Sequence, residues 1–264
     1  MSKHVAVLPW WPHEPSEEER VGLKSIRALC EIPLVVVLPE GCEAPPYLRP
    51  SAFERFAPQH FKSSWDYSRL LLTAEFYKRF SQFDYTVIIQ SDVLLLRSVT
   101  MEDLESFSFD YIGAPWVKRD SNRQLYLSGA GNGGFSMRRN TSFISVLESP
   151  TPFKAVPLNH FSPKRGLFLA GAIYGSAALR LTVEKLATSL VRAKVHEDTF
   201  WARIAPLLHP DFTVCPPEAA ARFAVEREPA FVSTFAGESG PMGAHAWRKH
   251  GGDFFLAAAR ARYD

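Results

Sequence analysis

At 264 residues, 46% hydrophobic and 22% charged, the chain is long and apolar enough to bury a sizeable core, as one large α/β domain or two small ones. A formal net charge of +2 and a pI near 8.4 are too mild to argue for nucleic acid, which calls for a strongly basic, clustered patch, and charge names no partner. Three cysteines, Cys30, Cys42 and Cys215, are odd in number and lack C-x-x-C or Cys/His zinc spacing, so no disulfide framework or structural zinc is expected and a reducing cytosol is the default.

The opening MSKHVAVLPWW lacks the long apolar region and small-residue cleavage site of a signal peptide. HVAVL at 4–8 is a β-branched run closed by Pro9, which suits a buried first strand. Ser16 followed by EEER predicts a helix start, with serine as N-cap and Glu17 to Glu19 at the positive end of the dipole. Val21, Leu23, Ile26 and Leu29 continue it at helical spacing, and it stops before Pro33. LVVVL at 34–38 is a second buried strand. Strand, helix and strand in succession predict a parallel α/β sheet.

Residues 43–64 are proline-rich and read as irregular, after which Asp66 is expected to cap a helix running to Arg79. Tyr85 to Ile89 predicts a strand, with Gln90, Ser91 and Asp92 at its carboxyl end, where open α/β sheets bind ligands. Leu94 to Leu96 then belong to a turn or a second short strand. FDYIGAPW at 109–116 and GAGNGGFSM at 129–137 flank a polar loop at 118–124. Residues 141–166 read as irregular, residues 167–193 as two helices, and the tail as a short helix. The apolar stretch at 166–179 is too short to span a bilayer, so no span is expected, while a peripheral contact stays open.

Four segments carry residues able to do chemistry. Asp92 at a strand's end can hold magnesium or manganese, which take oxygen ligands at about 2.0 to 2.2 Å and few protein ligands beside phosphate oxygens; the bland alternative is a turn cap. GNGGF at 131–135 gives a backbone that can approach a ligand closely, with the Asn132 amide able to bond a sugar hydroxyl; a tight hairpin turn is the alternative. HEDTFW at 196–201 places Glu197 and Asp198 where a helix starts, as a general base or as caps. In GAHAW at 243–247, His245 is a ligand or a plain surface side chain.

The order QSDVLL, DYIGAPW, GNGGFSMRR, HEDTFW, FAVERE, GAHAW resembles a little-characterised family of bacterial glycosyltransferase-like proteins and, more widely, GT-A nucleotide-sugar transferases. The resemblance covers about residues 60–247. It implies a single GT-A-like (Rossmann-related) α/β domain over 1–264, with a mostly parallel central sheet flanked by helices. A nucleotide-sugar-binding part would occupy about 1–140 and an acceptor-binding part about 141–264. It implies a divalent metal, manganese or magnesium, held by Asp92 and His245, with Gln90 standing where the group's D-x-D motif has its first acid. Asp198 would be the general base and Glu197 an acceptor contact, with the roles exchangeable. Gln90, Ser91, Asp92, Asn132, Gly133, Gly134 and Trp116 would bind the donor. Trp201 and Trp116 offer flat faces for a sugar or core packing; Trp10 and Trp11 lie where GT-A proteins bind the base. The implied reaction is inverting transfer from a UDP-sugar to a hydroxyl of a glycan or lipid-linked glycan acceptor, in surface polysaccharide synthesis. The implied place is the cytoplasm, with peripheral contact at the inner membrane, and no nucleic acid is involved. A glycoside hydrolase using an acid pair, or a non-catalytic sugar-binding protein, are the competing expectations.

Overall fold

The computed structural model describes residues 3–43, 50–153 and 162–263, without the side chains of 163 and 256–263. Its central sheet is built from β1 (His4–Pro9), β2 (Leu34–Pro39), β3 (Ala52–Phe56), β4 (Tyr85–Ile89), β6 (Tyr111–Arg119) and β7 (Leu125–Arg139), in the order β3-β2-β1-β4-β7-β6. β3, β2, β1 and β4 pair in parallel. β7 runs antiparallel to both of its neighbours, β4 and β6. A second, small sheet joins β5 (Val93–Leu95), β9 (Gly243–His245) and β8 (Ala224–Val225) in the order β5-β9-β8.

The continuous apolar runs of β1, β2 and β4 follow from burial on both faces. Val5, Val7, Val35, Val37 and Ile88 point into one core layer with the aromatics Phe76, Tyr77, Phe143 and Trp201. Ala6, Leu8, Val36, Leu38, Val87 and Ile89 point into the other, with Leu23, Ile26, Phe135 and Phe223. The first layer draws from both halves of the chain, because the helices Asn140–Glu148 and Val183–Arg192 pack there.

The helix Glu17–Leu29 starts at a full capping box, with Ser16 and Glu19 bonding each other's backbone N–H. It lies so close to the end of β4 that a Cβ on Gly22 would sit 2.4 Å from the Ser91 carbonyl oxygen. Ser25 Oγ accepts from the Leu95 N–H at 2.9 Å, which ties the helix to β5. These two contacts fix the segment that bears Asp92.

Three expectations change. The helix expected from Asp66 to Arg79 is two short helices, Ser64–Leu70 and Ala74–Lys78, capped by Ser63 and Thr73. The cap residues, not the apolar face, decide this break, since each hydroxyl takes an orphan backbone N–H. Within 43–64, Ala52–Phe56 forms β3 at the sheet edge, where one paired side suffices for a weakly apolar strand. Within 141–166, the helix Asn140–Glu148 is regular; residues 154–161 lie outside the described residues. The two helices expected in 167–193 are Pro163–Ala178, which begins inside the stretch read as irregular, and Val183–Arg192, and the tail helix is Trp247–Tyr263. The glycine-bearing segments 109–116 and 129–137, for which the sequence predicts no strand, form the antiparallel pair β6 and β7. Cys30, Cys42 and Cys215 are free thiols. Among the described residues no helix is long and apolar enough to cross a membrane.

Candidate active site

β4 ends at Ile89, and the chain turns at once, with the Val93 N–H donating to the Gln90 carbonyl at 3.0 Å. The Gln90 N–H donates across to Gly134 at 2.9 Å, so the turn stays attached to β7. Ser91 Oγ donates to Glu19 Oε1 at 2.7 Å. Asp92, between these anchors, is left one-third exposed. The register of β5 on β9 sets Val93 opposite His245, and His245 Nε2 comes to 3.5 Å from Asp92 Oδ1.

Behind His245 stands Glu226, with Oε1 at 3.6 Å from Nδ1 and 3.9 Å from His250 Nε2. Burial opposes charge on the His245 imidazole, but Glu226 and Asp92 outweigh it and raise its pKa. A carboxylate behind the far nitrogen of a histidine orients the ring and raises its basicity. The rim is thus Asp92, His245 and Glu226, in line.

β7 carries the floor. GNGG is no turn: it lies inside the 15-residue strand β7, with register shifts opposite Gly113 to Val117. A Cβ on Gly133 would fall 2.3 Å from Glu197 Oε1, and one on Gly134 would fall 2.2 Å from the His245 ring. The two glycines leave room for two functional side chains to lie across the strand. Asn132 is buried, and its Oδ1 accepts from the Gly134 N–H at 3.1 Å, which shapes this backbone.

Two residues on, Ser136 Oγ donates to the Gly133 carbonyl at 2.9 Å and accepts from Arg138 at 3.2 Å. Arg138 is completely buried and donates to Glu197 Oε1 at 2.9 Å and to the Tyr77 hydroxyl at 3.0 Å. The Tyr77 hydroxyl in turn donates to the Leu71 carbonyl at 2.8 Å. The other Glu197 oxygen, Oε2, is buried with no hydrogen-bond partner among the described residues. Burial pushes the Glu197 carboxyl up, to about 7, against the pull of Arg138.

Asp198 is the next residue of the same helix start, which His196 precedes as N-cap. Its Oδ1 accepts from the Thr199 N–H and, at 3.2 Å, from the Thr199 hydroxyl. Burial raises its pKa, and the Thr199 bonds oppose that rise. It is less enclosed than Glu197, and its charge is felt by His245.

The tryptophans divide. Trp201 is fully buried, 3.9 Å from Phe143 between ring centroids, and belongs to the core. Trp10 is buried and Trp11 packs edge-on against Phe61 and Tyr67. Trp116 carries the Arg203 guanidinium over its ring at 4.5 Å and lines a cleft of about 370 Å³ with Lys118, Ala202 and Pro206. That cleft runs beside the stretch of β7 leading to Asn132.

Among the described residues, no three His, Cys, Asp or Glu side chains cluster as a metal cage. Asp92 and His245 supply two donors that converge from different elements. Two protein ligands would suit a hard cation that takes further oxygen ligands from a bound diphosphate and water. They do not fit a cation held by the protein alone.

Residues 50–245 match the family described as "Protein of unknown function (DUF5672)". The chain belongs to that family. No curated protein matches it. Among solved structures it is similar to a glycosyltransferase involved in the glycosylation of the major capsid of PBCV-1, at 11% identity and a TM-score of 0.45, over 92% of each chain. So distant a likeness assigns no activity.

In this DUF5672 chain the fold brings together Asp92, His245, Glu197, Asp198, Asn132, Gly133 and Gly134, all of them singled out in the sequence, with Gln90 and Ser91 in the turn that bears Asp92. Sequence reasoning gave no role to Arg138, Tyr77 or Glu226. Arg138 and Glu226 stand inside the motifs GNGGFSMRR and FAVERE, so their positions were in view. Their roles depend on partners 59 positions away for Arg138 and Glu197, and on the packing of β8 beside β9 for Glu226 and His245.

Proposed function

We propose that the chain is a glycosyltransferase that moves a sugar from a nucleotide-diphosphate sugar, a UDP-sugar in the first instance, to a hydroxyl of a glycan or lipid-linked glycan. One observation carries the reading: Gly133 and Gly134, adjacent on β7, are each crossed by a functional side chain, Glu197 on one and His245 on the other. The acid pair and the cation-binding rim are thereby held side by side. Asp92 and His245 would hold manganese or magnesium, which supplies charge neutralisation on the departing diphosphate when bound. Gln90, a neutral group in place of a second acid, keeps the rim at two protein ligands.

Asp198 acts as general base. Its raised pKa and partial exposure suit it to take the proton of the acceptor hydroxyl. The hydroxyl oxygen attacks the anomeric carbon, the bond from that carbon to the diphosphate oxygen breaks, and the electron pair leaves with the nucleotide. Attack from the side opposite the leaving group inverts the anomeric centre. Glu197, held by Arg138 beside Asp198, is the acceptor contact. The donor side falls in about 1–140 and the acceptor side in about 141–264, with His245 reaching across through β9. The transfer would take place at the cytoplasmic side of a membrane, in the synthesis of surface polysaccharide.

The test is a thermal shift of the wild-type protein with UDP, GDP and CMP, each with and without manganese, followed by transfer assays on Asp198→Asn. Stabilisation by a nucleotide only when metal is present, together with Asp198→Asn binding donor normally but transferring at least about 10²-fold more slowly, is expected. No stabilisation by any nucleotide overturns the reading in favour of a sugar-binding protein.

A further inference from the structure

Nine large hydrophobic side chains are exposed among the described residues, and five of them, Phe153, Leu167, Phe168, Tyr174 and Leu179, fall in one segment around the helix Pro163–Ala178. Leu167 and Leu179 are 78% and 72% exposed, and Phe153 is 75% exposed while touching Tyr174 edge-on at 5.7 Å. The opposite side of the helix is spoken for: Leu169 and Ile173 are buried against Val183, Leu186 and Leu190 of the next helix. The outward apolar residues therefore have no work in the core.

Charge on this segment has one sign. Between Glu148 and Glu184 the sequence contains no acidic residue, and it contains Lys154, Lys164, Arg165 and Arg180. Lys164, Arg165 and Arg180 form no ion pair among the described residues. Lys164 and Arg165 sit at the start of the helix and Arg180 just past its end, so the apolar stripe is bracketed by cations. On the outward side Gly171 and Gly175 have open space where a Cβ would be, which leaves the stripe shallow between Phe168 and Tyr174. At 16 residues the helix is about 24 Å long, too short to cross a bilayer and long enough to lie along its surface.

We infer that the outward face of the helix Pro163–Ala178 docks the protein on an anionic lipid surface, with Leu167, Phe168, Tyr174 and Leu179 entering the interface and Lys164, Arg165 and Arg180 meeting the headgroups. An apolar stripe flanked by basic residues is the pattern of a helix that lies in the interfacial plane. Each basic residue near such a surface strengthens binding about fivefold. The docking face stands next to the candidate site: Arg165 donates to the Lys194 carbonyl at 3.0 Å, two residues before His196, and its charge is felt by Arg203 beside Trp116. An acceptor carried in the membrane would meet the cleft along this side.

Cosedimentation with phosphatidylcholine vesicles, with and without phosphatidylglycerol, tests the inference without any assay of transfer. The wild-type protein should pellet with the anionic vesicles at least about tenfold better than with neutral ones, and less so as salt is raised. The pair Leu167→Ser with Phe168→Ser should abolish binding, and the pair Lys164→Glu with Arg180→Glu should reduce it at least about tenfold. All four side chains are exposed, so unchanged melting temperatures are expected; should the serine pair unfold, the charge-reversed pair decides. Wild-type protein that stays in the supernatant with anionic vesicles, or variants that pellet like the wild type, overturn the inference. So does a concentration-dependent dimer that the serine pair dissociates while lipid binding is absent, which would assign the face to a second copy of the chain.

Discussion

The rim and the floor of the candidate site are a few residues apart and are built on opposite terms. The floor is dry: Arg138 is fully buried, and its guanidinium is committed to Glu197, Tyr77 and Ser136. The rim is partly wet, with Asp92 one-third exposed and separated from His245 by 3.5 Å, a distance that leaves both groups able to turn to another partner. A group that must hold still is buried and fully bonded; a group that must bind something else is kept near water and under-committed. Glu197 stands between the two, with one oxygen fixed by Arg138 and the other unpartnered.

The largest expected break of this contrast lies in the floor. Arg138→Met removes one partner of a buried ion pair and leaves Glu197 and Tyr77 facing an apolar side chain, which should cost about 3 to 5 kcal/mol in denaturant unfolding. Asp92→Ala, on the rim, should leave the unfolding midpoint nearly unchanged, because its ion pair with His245 is long, at 3.5 Å, and partly exposed. Equal losses for the two would erase the distinction.

Next is Gly134→Ala. The added methyl would meet the His245 ring at 2.2 Å, so the ring must move or the strand must yield, at a cost of about 1 to 3 kcal/mol. Metal-dependent nucleotide binding should disappear with it. Gly175→Ala serves as the control: it meets nothing within 4 Å, and in a helix interior it should stabilise by roughly 0.5 to 1 kcal/mol.

The smallest effect is a slope. Burial pushes the Glu197 carboxyl of the folded protein up to about 7, from the 4.5 usual for an exposed glutamate. Between those values the folded state holds a proton that the unfolded chain has released, so stability should fall as pH rises through that window. Glu197→Gln keeps an acceptor for Arg138 but cannot titrate, and its stability should vary less between pH 4.5 and 7 in denaturant titrations at each pH. An identical slope in the variant would place the titrating group elsewhere.

The sequence made the rim easier to read than the floor. A polar QSD after a buried strand, and a histidine between small residues, are local signals. The burial of β1, β2 and β4 on both faces was equally legible, because unbroken apolar runs have few other uses in a chain of this composition. Of the two readings of GNGG, the hairpin turn that N-G signals falls away, since it lies within a strand. The glycines answer to Glu197 and His245, side chains that arrive from 64 and 111 positions further along, and no local rule contains that information. Arg138 is the same case, for an arginine written beside Arg139 looks like a solvated pair until the fold buries one of them. The edge strand β3 and the helix break at Leu71 to Thr73 were hidden because a single hydroxyl cap or one exposed strand face leaves little periodicity to detect.

Calorimetric titration of UDP in the presence of manganese, into the wild-type protein and into Asp92→Ala, tests the central claim that the rim binds and the floor positions. The account predicts binding to the wild type that vanishes without the metal, and binding to Asp92→Ala at least about tenfold weaker at an unchanged melting temperature, since a lost metal or second-sphere contact typically costs 10- to 100-fold. Equal affinity of the two proteins for UDP, with or without manganese, would contradict it.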